Sequence, residues 1–306
     1  MDLYTQPEVT ALLALALGED LRQTGDLTAN ALIPDTATLA GTVTAKSPGV
    51  VCGLALFARV AALLGGDLHC RDAAPDGTVV AAGTPVLRLH GDARLMLAVE
   101  RTALNLCQRL SGTATMTRRY VDLVAGTRAG IFDTRKTAPG QRLLQKHAVA
   151  AGGGRNHRMG LHDQVLIKDN HLALMPGWDH GKAGSAPAEA VRRCRAALGA
   201  STVIEVEIET VADLPAVMRA GADIVLLDNL PPAALRDAVA LRDRVLAEAD
   251  PAARGALRPH VDLEASGGIT LATVRAYADT GVERISTGEP THSAPALDLS
   301  LRCAPA

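Results

Sequence analysis

Six short apolar runs in the second half of the chain each end in residues able to do chemistry. IFD (131–133) leads into Thr134, Arg135 and Lys136, and VLIKD (165–169) carries Lys168 and Asp169 ahead of Asn170 and His171. TVIEVEI (202–208) holds Glu205 and Glu207, and DIVLLDN (223–229) closes on Asp228 and Asn229. VDLEAS (261–266) brings Glu264 and Ser266 before Gly267 and Gly268, and RISTG (284–288) ends in Ser286, Thr287 and Gly288. One such ending reads as a helix cap, since Asp, Asn, Ser and Thr are favoured there. Six in succession, with Lys, Arg and Glu among them, read as a site.

The endings separate into three chemical zones. Arg135, Lys136 and Lys168, with His157 and Arg158 of NHR (156–158), are cationic. Guanidinium forks match carboxylates and phosphates bidentately, so this zone fits a ligand with two carboxylates, or one carboxylate and one phosphate. Glu207 and Asp228 are spaced to fall on neighbouring strands, as a Mg²⁺ site open to substrate oxygens and water requires; the competing reading is an ion pair with the cationic zone. The SGG and STG endings offer bare backbone N–H groups that can wrap a phosphate. Gly152, Gly153 and Gly154 either terminate the helix before them or allow a close approach to substrate.

Composition narrows the ligand. The formal charge of −2 averages two unlike parts. Residues 101–171 hold nine Arg and three Lys against four Asp and no Glu, a local +8 that leaves −10 elsewhere. With six aromatics among 306 residues, Trp178 the only tryptophan, stacking platforms for nucleic acid are missing, and a small polyanion is the better partner. Only five of the 31 basic residues are lysine: Lys46, Lys136, Lys146, Lys168 and Lys182. Two of these lie at the ends of consecutive strands, where a compact ammonium approaches a phosphate that a guanidinium would crowd. Five cysteines without a CxxC pair point to free thiols in a reducing cytoplasm, and His69, His90, His180 and His260 are scattered, without the spacing of a histidine metal site. No run is long and apolar enough to span a membrane, and the start lacks a signal-peptide pattern.

These residues need elements to position them. From about residue 130 strand-like runs alternate with Ala/Leu/Arg-rich helices, such as one opened by Pro231 and Pro232 with Leu235, Val239, Arg242 and Leu246 on one face. That alternation predicts a parallel α/β barrel, with an open doubly wound sheet as the alternative, and active residues at the carboxyl ends of the strands. Before residue 100, a helix near 7–18 precedes LAGTVTAKS (39–47) and TPVLRLHG (84–91), which alternate like antiparallel strands around an amphipathic GLALFARVAALLGG (53–66). A long helix over about 93–125 joins the parts. The expected domains are 1–115 and 116–289; the tail 290–306, in which LDLSLR (297–302) alternates like a strand, is open as to its sheet, with the first domain as candidate.

Several runs together resemble a known family. GEDLRQTGDLTANALIP (18–34), ERTALNLCQRLSGTAT (100–115), DTRKTAPGQRLLQKHAVAAGGGRNHRMGLHDQVLIKDNH (133–171), EVEIE (205–209), LLDN (226–229), EASGGI (264–269) and THS (291–293) are similar to quinolinate phosphoribosyltransferase, the carboxylating nicotinate-nucleotide pyrophosphorylase. The resemblance implies a type II phosphoribosyltransferase: an N-terminal α/β sandwich, an open α/β barrel and a homodimer sharing its active sites. It implies quinolinate and phosphoribosyl pyrophosphate as substrates, Mg²⁺ with the latter, no organic cofactor, and no nucleic-acid or membrane partner. By the same resemblance Arg135, His157, Arg158 and Lys168 bind quinolinate, with Arg101 reaching across from the other subunit, and Thr134 is a further substrate-binding residue. Lys136, Lys168, Glu207 and Asp228 match the phosphoribosyl pyrophosphate and Mg²⁺ positions, with Lys136, Glu207 and Asp228 catalytic. Ser266, Gly267, Gly268, Ser286, Thr287, Gly288 and His292 match the phosphate loops. Glu289 and Pro290 stand where the family has small apolar residues; an inward Glu289 would repel the 5′-phosphate, and an outward one is expected. NHR and IKDNH speak against a molybdenum-transport-associated relative of the same fold acting on another base.

Overall fold

A computed structural model describes residues 2–176, 179, 182–250 and 255–305. Trp178 and His180, named above, lie outside the described residues. The chain begins with a 3₁₀ turn (Leu3–Thr5) and α1 (Pro7–Leu21), then α2 (Leu27–Leu32), β1 (Thr38–Ala45), β2 (Gly49–Val50), α3 (Leu56–Leu63), β3 (Leu68–Arg71), β4 (Val79–Val80), β5 (Pro85–Asp92) and the long α4 (Ala93–Val124). It continues through β6 (Gly130–Phe132), α5 (Arg142–Ala151), β7 (Val165–Ile167), α6 (Asp169–Leu172), α7 (Ala186–Leu198), β8 (Ile204–Ile208), α8 (Leu214–Ala220) and β9 (Ile224–Asp228). The last elements are α9 (Pro232–Glu248), β10 (Asp262–Ser266), α10 (Val274–Ala278), β11 (Arg284–Ser286), α11 (Glu289–His292) and β12 (Leu299–Pro305).

Two compact units result. One gathers the chain up to Arg119, Lys136–Gly154 and the chain from Gly288 on; the other holds Tyr120–Arg135 and Arg155–Thr287. This differs from the contiguous division expected near residue 115. Residues 136–154 go with the first unit because α5 buries Leu144 and Ala148 in that unit's apolar cluster.

In the first unit a four-stranded antiparallel sheet runs β12-β1-β5-β3, and β2 and β4 form a separate ribbon. β1 alternates as its sequence dictates, burying Gly41, Val43 and Ala45 while Ala40 faces out and Thr42 and Thr44 are half-buried. The tail resolves its own ambiguity: β12 pairs with β1 from Leu39 opposite Pro305 to Ala45 opposite Leu299. The core beneath is aliphatic, with Phe57 among Leu56, Val60, Leu87, Leu104 and Leu110.

In the second unit six parallel strands run β6-β11-β10-β9-β8-β7. That is chain order read round a ring with one gap, between β6 and β7, so the open α/β barrel implied by the sequence is the fold. Beside the gap, Arg155 bridges Phe132 in parallel, its N–H donating to the Ile131 carbonyl at 2.7 Å. α9 starts at Pro232, whose absent N–H leaves no bond unmade in a first turn, and buries Leu235, Ala238, Arg242 and Val245. The expected stripe is thus rotated by about one position, leaving Val239 and Leu246 half-buried. Among the described residues no helix is long and apolar enough to cross a membrane.

The glycine run after α5 has a packing reason. A Cβ on Gly152 would press on the Ala114 carbonyl and lie 2.7 Å from Thr117 Cβ, and one on Gly154 would lie 2.6 Å from Thr117 Cγ2. These glycines close α5 and themselves lie against α4. Gly152→Ala is therefore expected to cost about 1–3 kcal/mol by overpacking. In urea denaturation its midpoint should fall with an unchanged slope.

Candidate active site

Polar residues enter the barrel because alternate positions on its short strands face inward. On β8, Glu205 and Glu207 share a face, and β10 places Glu264 and Ser266 likewise. The two positions behave differently with depth. Glu205 and Glu264 are fully buried, and His157 turns its ring onto both, with Nε2 2.9 Å from Glu205 Oε2 and 3.5 Å from Glu264 Oε1. Gln164 Nε2 donates to Glu205 at 2.7 Å, and Arg284 pairs with Glu264. Burial pushes Glu264 above the usual carboxylate range and Glu205's charge adds to this, while Arg284 and His157 pull it back. For His157, burial lowers the proton affinity, but the bond to Glu205 and the charges of Glu205 and Glu264 more than restore it. A second proton at Nδ1 would break the 2.7 Å bond that Nδ1 accepts from the Arg158 N–H, so the ring in this geometry carries its proton on Nε2. His157, expected to touch substrate, thus has both ring nitrogens engaged by the protein.

The rim above is less balanced. The His157 N–H donates to Asp133 Oδ1 at 2.8 Å, which fixes the NHR loop at the end of β6. Arg158 donates to the Gln164 carbonyl at 3.1 Å, and its pKa is pulled down by burial and then by the neighbouring Arg135 charge. Arg135 has a buried Nε with no hydrogen-bond partner among the described residues. Thr134 beside it is half-buried. A guanidinium that feels a second one's charge, with a buried idle donor on that second one, makes a receptor for an anion.

Lys168, at the end of β7, places Nζ 3.2 Å from Glu207 Oε2, so the competing ion-pair reading of Glu207 is realised here. Burial pushes Glu207 up, Lys168 pulls it back, and Asp228 pushes it up again. Asp228 is likewise raised by burial, against the Asn229 bond and the Lys168 charge. Asn229 takes a left-handed φ of 54°, donates Nδ2 to Asp228 Oδ2 at 2.6 Å, and sends its N–H to the Ser266 carbonyl at 3.0 Å. Its side chain fills the place where a Cβ of Gly267 would be; Gly267 and Gly268 both have positive φ. The LDN and SGG endings are thus one mechanical unit. Ser286 and Thr287 are buried, with the Thr287 N–H donating to the Phe132 carbonyl at 3.1 Å.

The remaining expected residues belong to the first unit. Lys136 is exposed, and its carbonyl accepts from Thr291 Oγ1 at 2.8 Å. Gln145 braces this loop, accepting from Ala138 N–H at 2.7 Å and donating to the Thr291 carbonyl at 2.8 Å. Gly288 lets two side chains converge: a Cβ there would lie 2.7 Å from His292 Cδ2 and 3.0 Å from Lys136 Cδ. His292 is exposed, with Nδ1 2.6 Å from Ser293 Oγ. Glu289 opens α11 and is half-buried, and Arg101 is exposed on α4. Gln145, Gln164, Glu205, Asn229 and Glu264 were not among the predicted ligands. They hold other side chains, a role no motif spacing signals.

The chain matches two family models, quinolinate phosphoribosyl transferase, N-terminal domain, over residues 26–111 and the C-terminal domain over 113–302. It is 39% identical over 292 residues to a nicotinate-nucleotide pyrophosphorylase (carboxylating) of Mycobacterium leprae, covering 94% of each chain. It is 37% identical over 302 residues to a mitochondrial quinolinate phosphoribosyltransferase (decarboxylating) of Nicotiana tabacum, covering 96% of this chain and 82% of that one. Among solved structures, the nicotinate-nucleotide pyrophosphorylase of Francisella tularensis superposes with a TM-score of 0.84 at 34% identity, covering 99% of both chains.

The raised carboxyls make a prediction about stability. An acid whose folded pKa lies above its unfolded value weakens the fold once pH passes the unfolded value, near 3.8 for Asp228. Asp228→Asn removes that penalty, so it should stabilise the metal-free protein by about 1 kcal/mol at pH 8. The gain should vanish as pH falls toward 3.8, which melting curves across pH would detect.

Proposed function

The chain belongs to the quinolinate phosphoribosyl transferase family, and on that premise we propose that it joins quinolinate to phosphoribosyl pyrophosphate. The products are nicotinate mononucleotide, pyrophosphate and CO₂, a step of de novo NAD synthesis. The observation that carries this reading is the Arg135–Arg158 pair with its idle, buried Nε. Adjacent cations removed from water are unfavourable until an anion joins them, and the neighbouring carboxylates of quinolinate offer one to each fork. His157 then serves by anchoring the Arg158 main chain, and Thr134 and Lys168 complete the carboxylate-binding set.

Glu207 and Asp228 fit a hard divalent cation, because both are oxygen donors whose charge burial disfavours, and negative charge adds to this, from Asp228 and Asp169 at Glu207 and from Glu209 and Asp169 at Asp228. Mg²⁺ accompanying phosphoribosyl pyrophosphate would be held by these two, where it supplies electrostatic stabilisation to the leaving pyrophosphate. The arginines hold the pyridine so that its nitrogen faces the ribose C1, which develops oxocarbenium character as pyrophosphate leaves. Lys136 offsets charge on the departing group. The Ser266–Gly268 and Ser286–Gly288 endings hold the 5′-phosphate through backbone N–H groups, with His292 beside Gly288. Once the nitrogen is glycosylated, the pyridinium withdraws electrons from C2 and its carboxylate leaves as CO₂. The exposed position of Arg101 suits a homodimer in which it completes the site of the other subunit, and the five free thiols suit a cytoplasmic enzyme.

With quinolinate, phosphoribosyl pyrophosphate and Mg²⁺, the protein should release CO₂ and pyrophosphate in equal amounts; a folded protein without turnover would overturn the assignment. Lys136→Arg should lower kcat by about 10² or more at unchanged melting temperature, because a planar fork replaces a compact charge. Separately inactive Arg101→Ala and Lys136→Ala chains, mixed and allowed to exchange subunits, should recover activity through hybrid dimers. Failure to recover would remove Arg101 from the shared site.

A further inference from the structure

In the first unit, groups far apart in sequence converge on one carboxylate. Asp76 Oδ2 accepts from the Tyr4 hydroxyl at 2.8 Å and lies 2.7 Å from His147 Nε2, while Oδ1 accepts the Gly53 N–H at 2.8 Å. Cys52 joins them: its Sγ, a carboxylate oxygen of Asp76 and a ring nitrogen of His147 all lie within 4.8 Å of one another. The cysteine is fully buried, whereas the Asp76 and His147 side chains are 23% and 34% exposed. The cluster therefore has a closed floor and a solvent-facing side. Asp76 is also the one acid lining a cleft of about 420 Å³ otherwise walled by residues such as Leu54, Ala55, Pro75 and Leu87.

A Cys–His–Asp nucleophile would place the imidazole between thiol and carboxylate. Here thiol and imidazole both address the carboxylate, and burial together with the Asp76 charge pushes the thiol pKa up, away from the reactive thiolate. The donor set instead matches a metal. Sulfur, nitrogen and oxygen ligands at the bond lengths of tetrahedral Zn²⁺ stand about 3.3 to 3.8 Å apart, inside the 4.8 Å limit of this cluster, and the 2.7 Å His147–Asp76 contact would open by about 0.6 Å once the ion replaces its proton. The Asp76 carboxylate is already oriented by Tyr4 and Gly53, as metal-ligating carboxylates usually are.

We propose that Cys52, Asp76 and His147 form a site for a borderline-soft divalent cation of the Zn²⁺ class. Its thiolate donor separates it in chemistry from the all-oxygen Glu207 and Asp228 pair, which suits Mg²⁺. Binding releases the Cys52 thiol proton to solvent and requires His147 Nε2 to be free of its proton, and water takes the fourth position. The ion would clamp α5 to the segment that begins α3 and to the loop ahead of β4. Gln145 of α5 braces the Lys136 loop, so the clamp bears on the loop that carries that lysine.

The test uses chelator-treated protein and Co²⁺ as the probe. One equivalent should produce a thiolate-to-cobalt charge-transfer band, and one equivalent of Zn²⁺ should raise the melting temperature. Cys52→Ala should lose both responses while retaining turnover with Mg²⁺ and its circular dichroism. Tyr4→Phe, which frees the Asp76 carboxylate on one side, should weaken Co²⁺ binding about 10- to 100-fold. Absence of the band in the unaltered protein, or a band of equal strength in Cys52→Ala, would reduce the cluster to a hydrogen-bonded knot and overturn the site.

Discussion

Two carboxylates with no exposure, Glu205 and Glu264, set the terms on which the barrel can exist. Charges in a protein interior are tolerable only when paired and hydrogen-bonded. Their partners come from different parts of the ring: His157 after β6, Gln164 just ahead of β7 and Arg284 on β11. Arg284 also lies over the Phe132 ring, 3.7 Å from its centroid. The ladder of backbone bonds does not join β6 to β7, and this interior charge network draws their ends into one unit nonetheless. It also fixes where Arg158 emerges, since the His157 ring accepts the Arg158 N–H.

The barrel interior is thus divided by depth. Below, the two buried carboxylates are held by Arg284, Gln164 and the His157 ring, with Glu205 Oε1 and Glu264 Oε1 left without a hydrogen-bond partner among the described residues. At the rim, the Arg135 charge disfavours a charged Arg158, and two carboxylates sit above their ordinary pKa range. Such imbalance weakens the empty fold and is relieved by ligands of complementary charge, which is how binding sites commonly relate to stability. Asn229 illustrates the same economy in the backbone: its left-handed conformation is held by Asp228, Ser266 and the missing side chain of Gly267.

Much of this was legible in the amino-acid order. Polar residues at the ends of six apolar runs have few reasons to be there, and the ring order of the strands follows from their alternation with helices. Depth was not legible. Glu205 and Glu207 look equivalent in IEVEI, and only the register, with Glu205 opposite Ile224 and Glu207 opposite Leu226, puts one in the sealed layer and one at the rim. Nor does the order of residues say which unit buries Leu144 and Ala148, which is why α5 departs from a contiguous division. Spacing rules for metal ligands work along one element, and they miss Asp76 and His147, which are 71 residues apart.

The pairing of β12 with β1 has a kinetic consequence. β1 offers one edge to β5 early in synthesis, but its other edge is filled only when residues 299–305 arrive. At ribosomal speeds of about 5–20 residues per second, that interval is tens of seconds. Throughout it the nascent chain displays an open strand edge, the feature most prone to pair with a neighbouring chain. The long separation also raises the contact order of the first unit and slows its final closure. A ribosome-bound chain stalled before residue 299 would hold a sheet of three strands in place of four, and chaperone protection is needed most in that window.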